Sequence, residues 1–195
     1  MRQLKMLVAS GLLLSILSGG HSALAETEAA SQRAAEAPVT AVWVPHEVSF
    51  SYMGFTSYYS CDGLETKLKL LLRTSGARAD LRVSASCSDM SGGPSRLSNA
   101  RLRFHTLAMQ APTDVKEALQ PGLGEWRTVS LRDRLPSGLS EGDCELVEQF
   151  DRELLPLFTV RDRVSQMNCI PHQRSFGGLR LQYSVLAPIP EPKTP

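Results

Sequence analysis

Apolar and polar positions divide the chain into short segments of differing period. From residue 61 to 76, Leu64, Leu68, Leu71 and Leu72 recur at the spacing of one helix face. Cys61 opens this pattern, Asp62 and Glu65 offer a capping box, and Gly76 supplies a stop. The period then falls to two. Ala77, Ala79, Leu81, Val83, Ala85 and Cys87 share one side, and Arg78, Asp80, Arg82, Ser84, Ser86 and Ser88 the other. Such alternation predicts a half-buried strand.

A second cysteine pair repeats the plan. Cys144 opens a helical run with Val147, Phe150, Leu154 and Leu155, ended by Pro156, and a strand pattern leads to Cys169. A shift of 83 residues superposes Cys61 on Cys144, Leu64 on Val147, Glu65 on Glu148, and Leu71-Leu72 on Leu154-Leu155. Arg82-Val83-Ser84 is echoed by Arg163-Val164-Ser165, but the odd spacing from Val164 to Cys169 needs a bulge to keep both on one face. Further alternation runs through Val42, Val44, Val48, Phe50 and Tyr52, through Leu102, Phe104, Thr106 and Ala108, and through Leu179, Leu181, Tyr183, Val185 and Ala187. Val129 and Leu131 suggest one more short strand; residues 88–98 and 111–124 read as loops by their Gly, Pro and Ser content. The expected fold is α+β: duplicated β-α-β units in a largely antiparallel, ferredoxin-like-related sheet with both helices on one face.

The two ends read differently. Residues 1–25 have the parts of a secretory signal: Arg2 and Lys5, an apolar stretch from Leu7 to Leu17, and the small residues Ala23-Leu24-Ala25. That stretch is about half of what a bilayer span needs. Cleavage near Ala25 predicts a periplasmic or secreted protein with no membrane anchor in its mature form. Residues 26–41 read as a flexible leader, 42–187 as a single α+β domain, and 188–195 (PIPEPKTP) as a proline-rich tail unable to join a ladder.

Export gives the cysteines their meaning. Cys61, Cys87, Cys144 and Cys169 all follow the signal, and an even count in an oxidising compartment predicts disulfides. A helix of about 14 residues rises roughly 21 Å, and a returning strand of about 8 residues spans roughly 26 Å, so each strand end comes back beside its helix start. The expected pairs are Cys61–Cys87 and Cys144–Cys169. No C-x-x-C and no close Cys/His cluster points to redox or metal chemistry.

Composition narrows function without naming it. The chain of 195 residues has 21 basic and 20 acidic side chains and a formal charge of +1; loss of the signal leaves 19 against 20. That balance removes the electrostatic basis of a dedicated nucleic-acid binder. No phosphate-binding glycine loop, Rossmann fingerprint or H-E-x-x-H occurs. His46, His105 and His172 are scattered, and Asp62, Glu65, Asp143, Glu145 and Glu148 sit where helix starts favour negative charge. Neither catalytic residues nor a metal or cofactor are assigned.

Two features stand above this background. Five of the twelve aromatic residues (Phe50, Tyr52, Phe55, Tyr58 and Tyr59) fall within residues 50–59. Phe50 and Tyr52 suit a core, whereas Phe55, Tyr58 and Tyr59 beside a helix start offer stacking and amide donation to a sugar or an anion. Arg82, Arg101, Arg103, His105 and Arg180 alternate opposite the apolar positions, so helices covering one face would leave them on the other. Guanidinium groups there suit an acidic partner.

The run YYSCDGLETKLKLLLRTSGARADLRV, with its cysteines, resembles segments of uncharacterised exported proteins of Gram-negative bacteria, which implies location rather than activity. The succession of strand, helix, Gly76-Ala77 and strand is similar to SPOR-type peptidoglycan-binding modules. The cysteine pairs, the longer connection and the extra strands depart from that family, and no binding residue carries over. The sequence thus favours a non-enzymatic interaction or binding module with an unknown envelope protein as partner. An envelope glycan binder comes next, and a hydrolase or thiol-redox enzyme third.

Overall fold

A computed structural model describes residues 37–87, 93–113, 119–131, 135–169 and 178–189. The signal segment, most of the leader, His172 and the end of the tail lie outside the described residues. Six strands and two α-helices follow one another as β1 (Val39–Met53), α1 (Cys61–Thr74), β2 (Arg82–Cys87), β3 (Leu97–Ala108), β4 (Gln120–Leu131), α2 (Cys144–Glu153), β5 (Val160–Met167) and β6 (Leu179–Pro188). The strands form one sheet in the order β2-β3-β1-β4-β6-β5, antiparallel throughout.

That order is a duplication. Each half is strand, helix, strand, strand, and its first strand lies innermost, its second outermost. The halves meet where Val39–Trp43 of β1 run antiparallel to Gln120–Gly124 of β4.

Both helices cover the same face. Leu64, Leu68, Leu71 and Leu72 of α1 and Leu146, Val147 and Phe150 of α2 share one core with Phe50, Tyr52, Leu102, Phe104, Leu181 and Tyr183 of the sheet. Burial of each such large side chain contributes roughly 1.5–3 kcal/mol. Ser60, not the Asp62/Glu65 box, caps α1: its hydroxyl accepts from Gly63 N at 3.1 Å. Glu65 instead reaches the outer edge of β2 and accepts from Ala85 N at 2.9 Å. Gly76 ends the turn after α1 at φ +92°, with Ala187 only 3.1 Å from where a Cβ would sit.

Several boundaries differ from the sequence pattern. β1 starts at Val39, inside the expected leader. β2 starts at Arg82, because residues 77–81 turn around the end of β3, where Arg78 N donates to His105 O. β4 extends back to Gln120 through Pro121, Gly122 and Gly124, which composition marks as loop. A Cβ at Gly122 would lie 2.9 Å from Trp43 and Leu107 atoms, and one at Gly124 2.8 Å from Leu186. The glycines therefore make room for side chains laid across the strand. Pro188 closes β6 opposite Gly124, a strand-end position that tolerates the missing N–H.

The bulge falls earlier than the cysteine spacing suggests. It lies between Arg161 and Val164 of β5, with Asp162 at φ +54°. Val164 is consequently exposed on the face opposite the helices, unlike buried Val83, and Arg163 turns toward α2 to grip Asp151 at 2.6 and 2.7 Å. The Arg-Val-Ser echo is thus not a structural equivalence. The cysteine pattern is one: Cys61–Cys87 and Cys144–Cys169 form disulfides, the first joining the start of α1 to the end of β2, the second the start of α2 to a residue just past β5.

Candidate binding surface

Loop 54–60 delivers the aromatic cluster. Phe55 and Tyr58 are half exposed, whereas Tyr59 is buried and its hydroxyl donates to Asp143 at 2.5 Å. Burial, followed by that hydrogen bond, pushes the Tyr59 phenol well above its ordinary range. Lys67 closes on the other Asp143 oxygen at 2.7 Å. Phe55, Thr56 and Ser57 turn their amides onto buried Glu145 at 2.9–3.3 Å, and the Ser57 hydroxyl donates to Gly142 O. Three consecutive N–H groups make an anion cradle. A carboxylate of α2 fills it, so the expected tyrosine-lined anion site is instead a seam between the halves. Only Phe55 and Tyr58 remain at the surface.

The other sheet face places the basic residues. Ladder register puts Arg82 opposite Arg103, Ser84 opposite Arg101 and Ser86 opposite Asn99, all directed away from the helices. Ser49 and Glu47 of β1 continue the same rows beside Arg101 and Arg103. A groove of about 480 Å³ is lined by Arg82, Arg101, Arg103, Ser84 and, around the edge of β2, by Lys69 and Val83. A second one of about 400 Å³ runs over Ser49, Ser84, Ser86 and Asn99, again beside Arg101. Arg103 donates to exposed Glu47 at 2.9 Å. Arg82 and Arg101 have no side-chain partner among the described residues.

His105 adjoins this group but is occupied. The Arg78 guanidinium donates to its ring at 3.0 Å and grips Asp80 at 2.8 and 3.0 Å. Burial first, then the Arg78 charge, lowers the His105 pKa below its ordinary value. Arg180 stands apart. It lies on β6 in the other half, where it donates to Gln166 at 3.0 Å. Four of the five expected basic residues therefore gather on β2 and β3.

Sequence inspection passed over a conspicuous pair. Trp43 and Trp126, the only tryptophans, are separated by 83 residues, and so are Arg78 and Arg161 that lie over them at 5.4 and 4.1 Å. Together with Ala41, Leu107 and Leu186 the tryptophans form a small apolar cluster on the uncovered face, at the junction of the halves. The shared offset was the available signal. Among the described residues no helix is long and apolar enough to cross a membrane, and no group of three or more His, Cys, Asp or Glu is placed to hold a metal. Comparison with protein-family models, curated proteins and solved structures finds no match for this chain.

Proposed function

We propose that the protein is an exported, periplasmic or secreted binding module that recognises an acidic polypeptide through the sheet face opposite its helices. The observation that carries this reading is the pair Arg82 and Arg101. They sit on neighbouring strands of the uncovered face, flank a groove, and have no carboxylate of the described chain to neutralise them. Ser84, Ser86 and Asn99 beside them add hydroxyl and amide partners for carboxylates, which guanidinium groups bind in a two-pronged geometry. Two disulfides suit an oxidising compartment.

Immobilised poly(L-glutamate) serves as probe and isolated peptidoglycan sacculi as the rival ligand. The wild-type protein is expected to bind poly(L-glutamate) with an affinity that falls as salt rises. The Arg82→Ser/Arg101→Ser variant is expected to lose that binding while keeping its unfolding midpoint. Retention on sacculi that survives the double substitution overturns this reading in favour of a glycan binder.

A further inference from the structure

The two inner strands each outrun their mutual ladder, and the two overhangs are treated differently. β1 pairs with β4 only over Val39–Trp43, so residues 44–53 have β3 on one side and, among the described residues, no strand on the other. β4 pairs with β1 only over Gln120–Gly124, so residues 125–131 have β6 on one side and, among the described residues, no strand on the other.

In an antiparallel ladder each residue sends its N–H and C=O to the same side, and successive residues alternate. Gly54 N donates to Arg96 O, so even positions of β1 face β3 and odd ones face β4. Register then makes the even positions of β4 face β1. Beyond Gly124 these are Trp126, Thr128 and Ser130.

The β1 overhang is closed at its two ends. Pro45 has no N–H to offer, and Gln149 of α2 takes both groups at the far end: Met53 N donates to Oε1 at 3.0 Å and Nε2 donates to Met53 O at 2.8 Å. No side chain or backbone group among the described residues does this for Trp126, Thr128 or Ser130. A groove of about 440 Å³ lies there instead, lined by Arg127, Thr128, Val129 and Ser130 and by Arg73 and Thr74 at the end of α1. Arg127 donates to Thr74 O at 3.1 Å, and the Arg73 side chain has no partner among the described residues.

We propose that this overhang is a second binding site, which accepts an extended, acidic segment of a partner protein as an added β-strand. The site is distinct from the arginine face, and does not depend on it. A row of unpaired N–H and C=O groups templates a strand, and its seven residues span roughly 23 Å at about 3.3 Å each. Arg73 and Arg127 set the charge of the incoming side chains.

The probe is a synthetic peptide of alternating Thr and Glu, added to the full mature protein and followed by residue-resolved amide exchange. Without peptide, the amides of Trp126, Thr128 and Ser130 should exchange much faster than those of Arg127 and Val129, which face β6. With peptide, all three should slow. Thr128→Pro removes one donor that points into the groove, without touching the β6 ladder, and should weaken the peptide by about tenfold. Arg73→Glu, on an exposed position, should weaken it by a similar factor and keeps the test open should the proline variant not fold. The Arg82→Ser/Arg101→Ser variant should bind the peptide here as wild type does, so failure of the arginine face would be seen separately. Protection of all three amides before any peptide is added would mean the chain's own leader fills the groove, and overturns the proposal. Unchanged exchange at saturating peptide overturns it as well.

Discussion

The two halves share elements, order and disulfide placement, yet their surfaces have taken opposite roles. In the first half α2 takes the far end of the inner strand, through Gln149 on Met53, and the loop after it, through Glu145, and the outer strands present Arg82 and Arg101, which have no side-chain partner among the described residues. In the second half no group among the described residues closes the overhang of the inner strand, while Arg163 is paired with Asp151 and Arg180 with Gln166. Duplication thus supplies a frame, and the side chains laid on it decide where polar groups remain available. Equivalence of backbone does not carry equivalence of chemistry.

The largest effects should come from what the halves share. Replacing either cysteine pair by serine should cost about 3–4 kcal/mol on the chain-entropy estimate, because the two loops have nearly the same separation of 26 and 25 residues. Urea unfolding of Cys61→Ser/Cys87→Ser and Cys144→Ser/Cys169→Ser measures this. A large inequality between them would show that the halves are stapled to different purpose.

Next comes the seam, where the halves differ. Glu145→Ala leaves three amides of the first-half loop without their carboxylate and should cost about 3 kcal/mol. Its counterpart by the 83-residue shift, Asp62, is exposed and lies in the first turn of α1, so Asp62→Ala should stay within about 0.5–1 kcal/mol. Equal losses would remove the asymmetry.

Smaller effects should follow acidification. Burial, and then the charge of His105, lowers the pKa of His46, which is hydrogen-bonded to Thr106 at 2.8 Å. A group whose pKa is lower in the folded state binds its proton more readily when unfolded. Its contribution is therefore complete above about pH 6.5 and is lost as pH falls through the folded value. Glu65, lowered chiefly by the Ala85 N–H, and Asp80, lowered by Arg78, act in the same sense at more acid pH. The unfolding midpoint should hold steady above about pH 6.5 and decline below it, and His46→Gln should flatten the first part of that decline. A midpoint that rises on mild acidification contradicts this assignment.

Much of this fold was legible from period alone. The leucine spacing gave α1, and alternation gave β3 and β6. A geometric estimate of helix rise and strand return gave the disulfides. β4 was hidden because Pro121, Gly122 and Gly124 serve close packing by Trp43, Leu107 and Leu186, a demand no local propensity reveals. The arginine rows were readable as the polar side of alternating strands, but their division was not: Arg180 separates from the others only once strand order is known. Tyr59 looked like a surface ligand because its partner Asp143 is 84 residues away. Seam and overhang alike arise from pairing between halves, which no single segment encodes.

The central claim, that availability on this duplicated frame depends on side-chain partners, is tested most directly by equivalent arginines. Arg101 lies six residues before Leu107, the cross-strand partner of Trp43; Arg180 lies six before Leu186, the partner of Trp126. Titration of soluble poly(L-glutamate) into Arg101→Ser and Arg180→Ser compares them, both being expected to remain within about 0.5 kcal/mol of wild-type stability. Arg101→Ser should weaken binding by about tenfold and Arg180→Ser should leave it unchanged. Equal weakening by both, or weakening by Arg180→Ser alone, would contradict the account.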